Sequence, residues 1–451
     1  MLRRNQDRSA PGWAYVASAV QQLLNHMTCG SPRAENAQRG PTESRDGARE
    51  CVMARRHSNP SAQTGAQASN LYQAVGGTAA CRKLSALFYA RVEQDPLLRP
   101  LFPGKTLKCA VEEFAAFLAQ FLGGPSKDAE RRWWLSLRES HLRFEIGPKE
   151  RDAWMKNMLR ALDDVRIEEP VRSALRGFFG QASAYVVNQE RVSPVSLERT
   201  DPPQDHIHQE IARRWDAQRG LDEAVTAVRR GDADGAIVLA ESPTLQACFK
   251  HNSSVFAALL ALMIGNGDRG MLNYVREKLL DAPDLARERY SGRTLLHAAS
   301  AAGDVTTVEL LLRLGVDPNV TDAGGHTSLY CVGNECRVKA GATVVRVLVQ
   351  AGANVDAQDG VKHCTALHMA ARRGSVDVAE ALLDCGANIE ARDSLGDTPL
   401  RRSVNCDQAE VTKLLISRGA DVHSKGSKGI TPLLAARTST VKMALTIRSR
   451  E

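Results

Sequence analysis

The sequence predicts an all-α fold in which a compact helical unit is followed by an array of repeated helix pairs. Between residues 71 and 190, apolar residues recur at helical spacing and are interrupted at prolines and glycines. From about residue 221 onward, a short motif returns at a spacing of 33 residues, as in tandem repeat proteins. The 451 residues are enough for about three domains of ordinary size.

Composition excludes several other classes of protein. Hydrophobic residues make up 43% and charged residues 25% of the chain, which is ordinary for a folded protein. The longest apolar run, residues 255–264, is about half the ~20 residues that a bilayer-spanning helix needs, so we expect no membrane span. Ten cysteines without paired C-x-x-C spacing predict free thiols in a cytoplasmic protein, with organelle targeting by residues 1–30 left open.

The formal net charge of +7 is concentrated at the two ends of the chain. Residues 1–70 carry nine Arg or Lys against five Asp or Glu, and residues 425–451 carry six against one. The middle of the chain is slightly acidic, so we expect no nucleic-acid partner. Residues 1–70 contain few apolar side chains, which predicts a disordered tail because such a segment buries too little surface to offset its ordering entropy.

The helical unit is locally rich in aromatic residues. One helix is predicted after the N-cap candidate Thr106, with an apolar stripe that includes Ala110 and Phe114. Another is predicted to start with Pro148 and to carry Trp154. Aromatic residues are only 5% of the whole chain, so their enrichment here indicates a large, flat, apolar ligand. The enriched residues are Phe88, Tyr89, Phe102, Phe114, Phe117, Phe121, Trp133, Trp134, Phe144 and Trp154.

Four segments of this unit carry a family resemblance. They begin at residues 71, 87, 113 and 141 and read LYQAVGG, LFYARVEQDPLLRPLFP, EFAAFLAQFLGGP and HLRFEIGPKERDAW. In these segments the chain resembles the truncated haemoglobins, the 2-on-2 helical globins, and specifically their second group. The resemblance spans about residues 71–190 and implies a haem b, an iron cofactor, held in a helical sandwich.

The resemblance implies a role for several residues around the haem. His141 occupies the histidine of the family's H-x-x-F-x-I segment, which also contains Phe144, and is implied as the iron ligand. Tyr89 and Trp154 occupy the family's distal tyrosine and tryptophan, whose O–H and N–H groups can donate to a gas bound on the iron. Phe102 stands where this group often has a second tyrosine, which leaves the distal network one hydroxyl short.

Other positions near the implied pocket are less informative. Ala110 occupies the distal-helix position that many globins fill with His or Gln, and Phe114 is expected to cover the ligand site. Lys108, Arg138 and Arg143 are candidate partners of the haem propionates by proximity alone.

Without the resemblance, the two central residues have ordinary structural readings. A lone histidine between helices is most often a structural residue whose polar atoms are satisfied. Tyr89 would flank the apolar stripe of its helix and extend its hydroxyl to water. The prediction of a haem site therefore depends on the family motifs occurring together.

The second half of the chain repeats one frame. Threonines at positions 294, 327, 365, 398 and 431 are separated by 33, 38, 33 and 33 residues, and T-x-L-H and V-x-x-L-L motifs accompany them. The pattern resembles ankyrin repeats, which stack pairs of antiparallel helices into a solenoid. Each threonine is expected to cap an inner helix, His297 and His368 to be structural, and glycines at 315, 352, 386 and 419 to end the outer helices. The 38-residue unit has an insertion around residues 331–340, and Asp407 replaces an expected interhelical glycine.

These observations divide the chain into six segments. They are a disordered tail (1–70), a truncated-globin haem domain (71–190), a proline-containing linker (191–220), degenerate helical or ankyrin repeats (221–289), ankyrin repeats (290–436) and a basic C-terminal tail (437–451). The last segment is helix-like over residues 441–450, and the sequence leaves open whether it caps the array or is disordered. The predicted fold class is all-α: a truncated globin, or 2-on-2 helical sandwich, followed by an ankyrin-repeat α-solenoid.

Three functions are compatible with this organisation. The first is a haem protein that reversibly binds O₂ or another diatomic gas such as NO or CO, carried on a scaffold that binds a protein partner, as a gas sensor or adaptor. The second is a haem-dependent oxidoreductase that consumes nitric oxide or peroxide and, since the chain has no flavin or nicotinamide motif, uses a separate reductase. The third is a haem-free ankyrin adaptor. Whether the protein is an enzyme is left open, and a protein partner is expected at the loop tips 323–326, 360–363 and 394–397.

Overall fold

The computed structural model describes residues 71–102, 104–124, 135–189, 205–426 and 429–446. Within these ranges the regular structure is helical, apart from one isolated bridge between Tyr290 and Arg293, so the predicted all-α class is confirmed. The predicted disordered tail, the prolines at 194, 202 and 203 and the tryptophan pair at 133 and 134 lie outside the described residues.

Six helices and a 3-10 turn (Arg99–Leu101) form the first part of the fold. The helices are α1 (Leu71–Val75), α2 (Gly77–Val92), α3 (Lys108–Phe121), α4 (Leu137–His141), α5 (Pro148–Asp164) and α6 (Val171–Tyr185). Helix α2 packs against α3 and α5, and α5 packs against α6, which is the pairing of the predicted 2-on-2 sandwich. Fully buried side chains fill its centre. They include Phe88, Leu118, Met158, Leu162, Leu175 and Phe179.

Local sequence determines where the helices of this sandwich begin. Helix α5 starts with Pro148, as predicted, and the Glu150 carboxylate accepts the Gly147 backbone N–H at 2.9 Å, which closes its first turn. The prediction that Thr106 caps α3 was wrong. The N-cap position belongs to Leu107, one residue later, whose side chain has no acceptor for the first amides of the helix.

A long helix, α7 (His206–Arg230), occupies the second half of the predicted linker. Asp205 caps this helix by accepting the N–H groups of residues 207 and 208. Ile211 and Trp215 are buried in the core of the 2-on-2 sandwich, where the Trp215 ring centre lies 5.6 Å from that of Phe178. The prediction of a linker over 191–220 was therefore wrong from residue 206 onward, because two apolar side chains bury a helix face within a charge-rich stretch.

From the second half of α7 onward, the helices share a second, continuous core that extends through the repeats. The helices before the repeat frames are α8 (Ala233–Ala240), α9 (Pro243–His251), α10 (Ser253–Asn266) and α11 (Arg269–Asp281), followed by a 3-10 turn (Pro283–Arg287). The inner and outer helices of four frames are α12 (Leu295–Ala302) and α13 (Val305–Arg313), α14 (Ser328–Glu335) and α15 (Gly341–Gln350), α16 (Ala366–Arg373) and α17 (Val376–Asp384), and α18 (Pro399–Asn405) and α19 (Ala409–Ser417). Successive inner helices pack on one another, as in a solenoid.

Two short helices, α20 (Pro432–Ala435) and α21 (Ser439–Thr446), end the described part of the array. Helix α21 packs on α19 and buries Val441 and Leu445 in the array core. Of the two alternatives for the basic tail from residue 437, a cap or a disordered end, residues 439–446 therefore fit the cap, because this apolar face closes the end of the stack. Residues 447–451 lie outside the described ranges.

The histidines of the repeat frame join consecutive repeats, and both are structural, as predicted. Nδ1 of His368 accepts the Thr365 backbone N–H at 3.2 Å, and Nε2 lies 3.0 Å from the backbone carbonyl of Asp397 in the next repeat. His297 accepts from its own threonine in the same way and reaches the carbonyl of His326 at 3.1 Å. A ring that accepts through Nδ1 and donates through Nε2 is neutral. We call each of these inter-repeat bonds a histidine rung.

The five extra residues of the 38-residue repeat are distributed over three places. The outer helix begins 14 residues after the capping threonine rather than 11, and it has 10 residues where the other outer helices have nine. The last extra residue lies in the loop tip. The bond from the Asp359 N–H to the Cys364 carbonyl, which closes this tip, spans one residue more than the bonds that close the neighbouring loop tips. At Gly333 on α14 a Cβ atom would lie 2.5 Å from the Ala366 carbonyl oxygen, so glycine allows α14 and α16 to approach closely.

Asp407 lies in the turn between α18 and α19, at a position where the repeat pattern predicts glycine. Its φ of 55° is in the left-handed region, close to the φ values of 74° and 75° at Gly303 and Gly374 in the equivalent turns. Aspartate tolerates this region better than most residues, which explains how the fold keeps the turn without glycine.

No single helix in the described ranges is long and apolar enough to cross a membrane. Helices α9 and α10 reach that length and composition only when taken together, and they are bent by 117° relative to each other.

Candidate functional site

A row of half-buried rings runs through the 2-on-2 sandwich. The His141 ring at the end of α4 lies 6.1 Å, centre to centre, from Phe144 in the following loop. Phe144 is 5.4 Å from Phe102, which is 5.7 Å from Tyr89 on α2. Tyr89 is in turn 6.3 Å from Phe114 on α3. The structure thus brings together five residues that the family resemblance assigned to one site.

Trp154 and Ala110 belong to the same region. Trp154 on α5 contacts Phe88 and Phe179, with ring centres 5.2 and 6.0 Å away, and Phe88 lies 5.0 Å from Tyr89. Ala110 is half-buried, one turn before the phenylalanine of the row on α3. Phe88 and Phe179 are fully buried, whereas the rings of the row and Trp154 are not. The row is therefore partly accessible to solvent, and we call the region along it the slot.

One nitrogen of His141 is engaged by its own helix. Nδ1 lies 2.7 Å from the Leu137 carbonyl oxygen and 2.9 Å from the Ser140 hydroxyl, which itself donates to that carbonyl. Nε2 makes no hydrogen bond to any residue that the structure describes. Burial lowers the pKa of His141, so the ring is neutral near pH 7, with its proton on Nδ1 and a free lone pair on Nε2.

The segment that carries His141 is held on both sides. Before the histidine, the Ser136 hydroxyl caps α4 by accepting the Glu139 N–H at 3.0 Å. After it, the Asn188 amide donates to the Phe144 carbonyl at 2.8 Å and accepts the Ile146 N–H at 3.0 Å. These bonds fix the backbone around the imidazole and so limit the orientations of the ring.

Two hydrogen-bond donors near the row have no partner among the described residues. They are the hydroxyl of Tyr89 and the indole N–H of Trp154. Burial raises the pKa of Tyr89 above its usual range, and the negative charge of Glu113 raises it further, against the opposing effect of Arg143. At neutral pH the Tyr89 hydroxyl is therefore protonated and can act as a donor.

The three basic residues proposed as partners of the haem propionates differ in how close they lie to the row. Burial raises the pKa of Glu113 on α3, and the positive charge of Arg143 opposes this shift. The Arg143 guanidinium lies 4.7 Å from the Phe144 ring centre, beside the slot. Arg138 instead lies 5.7 Å from the ring centre of Tyr185, in a cleft against α7, and Lys108 is exposed. Arg143 is therefore the candidate best placed to pair with carboxylates at the slot.

Sequence reasoning missed Glu113 and Asn188. Glu113 follows Ala110 by three residues and so shares its helix face, a signal that was present in the spacing. Asn188 reaches a segment more than 40 residues earlier in the chain, a contact for which the linear sequence carries no signal.

The residues present fit a haem. Among the described residues, the slot offers a neutral imidazole with one free nitrogen, a row of apolar rings, two donors without a partner and one arginine at its edge. Each of these groups has a counterpart in the chemistry of the cofactor, which needs an axial ligand, apolar contact surface and cationic partners for its propionates.

A two-on-two helical sandwich with such a histidine defines a globin-type domain, and the stacked helix pairs define an ankyrin array. Residues 70–187 match the family Bacterial-like globin, residues 291–323 match Ankyrin repeat and residues 335–426 match Ankyrin repeats in three copies. Group 2 truncated hemoglobin YjbI of Bacillus subtilis is 36% identical over 118 residues, which cover 88% of that protein and 26% of this chain. The chain therefore belongs to the truncated haemoglobin family and also carries ankyrin repeats.

Relatives of the array come from a different set of proteins. Ankyrin repeat and SOCS box protein 11 of Danio rerio is 40% identical over 105 residues, or 34% of that protein and 23% of this chain. Ankyrin repeat and SOCS box protein 16 of Homo sapiens is 31% identical over 142 residues, or 30% of that protein and 32% of this chain. The chain spans about a third of the length of each of these relatives.

Proposed function

We propose that residues 71–189 bind haem b with Nε2 of His141 as the protein's iron ligand, and that the protein reversibly takes up a diatomic gas, with O₂ as the first candidate. The observation that carries this proposal is the bond of 2.7 Å between His141 Nδ1 and the Leu137 carbonyl. It commits one ring nitrogen to the backbone and leaves the other as a neutral ligand beside the row of rings. Haem supplies the open coordination position at which a gas binds.

The residues around the slot have separate parts in this proposal. Phe102 and Phe144 provide apolar surface and exclude water, and Phe114 restricts access from α3. Tyr89 and Trp154 keep an O–H and an N–H to which no described residue bonds, so both can donate to a polar ligand in the slot. A donor in a site shielded from water stabilises its acceptor more than an exposed one does.

The test is reconstitution of the full-length chain with hemin. We expect a Soret band that shifts when CO is added to the reduced protein, and we expect His141→Ala to abolish it. A matched control is His251→Ala, because His251 also bonds a carbonyl four residues earlier, at 2.9 Å, but lies exposed on the array side of the chain. This variant should keep the full band.

The outcomes separate the candidate functions. Wild-type protein that takes up no haem contradicts the proposal and favours the haem-free adaptor. Rapid nitric oxide or peroxide consumption by haem-loaded protein supplied with a reductant favours the oxidoreductase, whereas stable, reversible gas binding supports the binding protein.

We further propose that the loop tips of the array bind a protein partner. Neighbouring tips are bonded to each other, from the Gly360 N–H to the Gly324 carbonyl at 3.2 Å and from the Ser394 N–H to the Lys362 carbonyl at 2.8 Å. Val361, with 68% of its surface exposed, lies on this row of loops. Exposed apolar side chains on a rigid row of loops favour contact with another protein.

The corresponding test compares affinity capture by three forms of the chain. Val361→Ser combined with Leu395→Ser, which is 59% exposed on the next tip, should lose bound proteins that the wild type retains. The control is Leu280→Ser, since Leu280 is similarly exposed on α11, outside the tips. Identical sets of proteins on all three forms would contradict a role for the tips.

A further inference from the structure

A carboxylate on α7 caps the helix that carries His141. Asp222, only 2% exposed, accepts the Leu137 N–H through Oδ1 at 2.9 Å and the Arg138 N–H through Oδ2 at 3.0 Å. These are the first two amides of α4, which have no acceptor within a helix of five residues. One buried side chain from 84 residues later in the chain thus satisfies both.

The peptide groups of Leu137 connect this carboxylate to the imidazole. The Leu137 N–H donates to Asp222, and its carbonyl accepts from His141 Nδ1 at 2.7 Å. Gln218, one turn before Asp222, donates from Nε2 to the Leu135 carbonyl at 2.9 Å and to Asp222 Oδ1 at 2.8 Å. The position of α4, and with it the acceptor of the imidazole, is therefore set by two side chains of α7.

Helix α7 belongs to both cores of the molecule. Ile211 and Trp215 are buried in the core of the sandwich, whereas Leu221 and Val225 are buried in the core of the array. Asp222 lies in the array half of this continuous 25-residue helix. A displacement of α7 by the array therefore moves the carboxylate to which α4 is bonded.

We propose that Asp222 is a positioning residue for His141, acting through the backbone of Leu137, and that it links the geometry of the iron ligand to the ankyrin array. The proposal rests on the haem site described above. A hydrogen bond at the second nitrogen of a ligating histidine fixes the ring orientation and raises its basicity as a ligand. Asp222 sets this bond indirectly, by holding the residue whose carbonyl receives it.

The first measurement needs no haem. In the haem-free full-length chain, the amides of Leu137 and Arg138 should be protected from hydrogen exchange, and Asp222→Asn should speed their exchange by roughly tenfold or more, because an amide side chain cannot accept both bonds as the carboxylate does. The control is Asp216→Asn on the same helix, since Asp216 is exposed and its one ion pair among the described residues is with Arg219. This variant should exchange like the wild type.

The second measurement uses the haem-loaded protein. Asp222→Asn should shift the iron–histidine stretching band of the reduced, gas-free protein in the Raman spectrum, while Asp216→Asn should leave it unchanged. This band reports the orientation and basicity of the imidazole, which a general loss of stability does not alter. Gln218→Met, which removes one support of the carboxylate, should give a smaller shift in the same direction, and it serves as the test if Asp222→Asn does not fold.

The two proposals fail in different ways. Rapid, unprotected exchange at Leu137 and Arg138 in the wild type, or identical exchange and Raman bands in all variants, would overturn the role of Asp222 while haem binding stands. Absence of haem uptake by the wild type would overturn the haem site, and the exchange experiment would still decide whether Asp222 holds α4.

Discussion

Tyr89 places a protonated hydroxyl inside the sandwich without a hydrogen-bond partner among the described residues. Because the Tyr89 side chain is only half-buried, this donor is available to water or to a ligand that displaces it. In the proposed haem site, that ligand is the bound gas, and Trp154 offers a second donor nearby.

We therefore expect Tyr89→Phe in the haem-loaded protein to release O₂ roughly tenfold faster, because one hydrogen bond to the ligand is lost. The measurement is the dissociation rate by stopped-flow absorbance. Phe102→Tyr, which adds a hydroxyl to a ring whose centre lies 5.7 Å from the Tyr89 ring centre, should change the rate in the opposite direction. An unchanged rate in Tyr89→Phe would show that this hydroxyl does not contact the ligand.

His297 makes the stability of the array depend on pH. Burial lowers its pKa from 6.5 to about 4 in the folded protein. Between these two values the unfolded chain takes up a proton that the folded chain does not, so acid favours unfolding. We expect the free energy of unfolding to fall by about 3 kcal/mol from this group as the pH is lowered from 6.5 to 4, with no further loss below pH 4.

Urea unfolding of the full-length chain at a series of pH values measures this dependence. His297→Gln removes the titrating group, so its unfolding free energy should be lower at pH 7 but should change less between pH 6.5 and 4. The exposed His251, changed to Gln, is the control and should reproduce the wild-type slope. Parallel curves for wild type and His297→Gln would contradict the role of His297.

The residues of the slot divide into those that a linear sequence can reveal and those that it cannot. His141, Phe144 and Trp154 were found because a motif fixes their spacing, and the structure places them in one region. Asp222 and Asn188 hold the same segment through contacts between residues 42 to 85 apart in sequence. No periodicity records such contacts, since they arise only when two distant helices pack.

At the scale of elements, the repeat frames were predictable and α7 was not. Each frame packs against neighbours with the same pattern, so threonine caps, histidine rungs and terminal glycines all follow from one repeating motif. The apolar side chains of helix α7 pack partly in the core of the sandwich and partly in the core of the array. Nearby prolines led to the prediction of a linker over its first half. The family matches identify the two parts of the fold, but they do not cover this helix.

Because α7 belongs to both cores, we expect a disturbance of the array core next to α7 to reach α4. Leu221→Ala opens a cavity in the array core directly before Asp222 and should speed amide exchange at Leu137 and Arg138. Leu382→Ala creates a cavity of the same kind on α17, far along the array, and should leave those two amides unchanged while costing a similar 2–5 kcal/mol, roughly, of local stability. Equal effects of the two variants would show that α7 does not transmit strain selectively.

At the scale of the whole molecule, the sandwich depends on a helix beyond its family match. A chain that ends at residue 189 lacks Ile211 and Trp215, which cover Phe178 and Tyr185. Loss of these two apolar side chains should lower the stability of the sandwich by about 3 kcal/mol or more. Hydrogen exchange of α6 in the shortened and full-length chains measures the difference, and equal protection would contradict the dependence.

The histidine rungs are distributed unevenly along the array. His297 bonds the first frame to the second and His368 bonds the third to the fourth. Between the second and third frames, Tyr330 stands at the corresponding position and stacks on His326 instead, while Gly333 permits close contact of the backbones. Protonation of either ring in acid removes its Nδ1 acceptor and places a charge in the buried interior, whereas the middle joint has no such ring. Acid would therefore weaken the solenoid at both ends of residues 327–384 rather than within them.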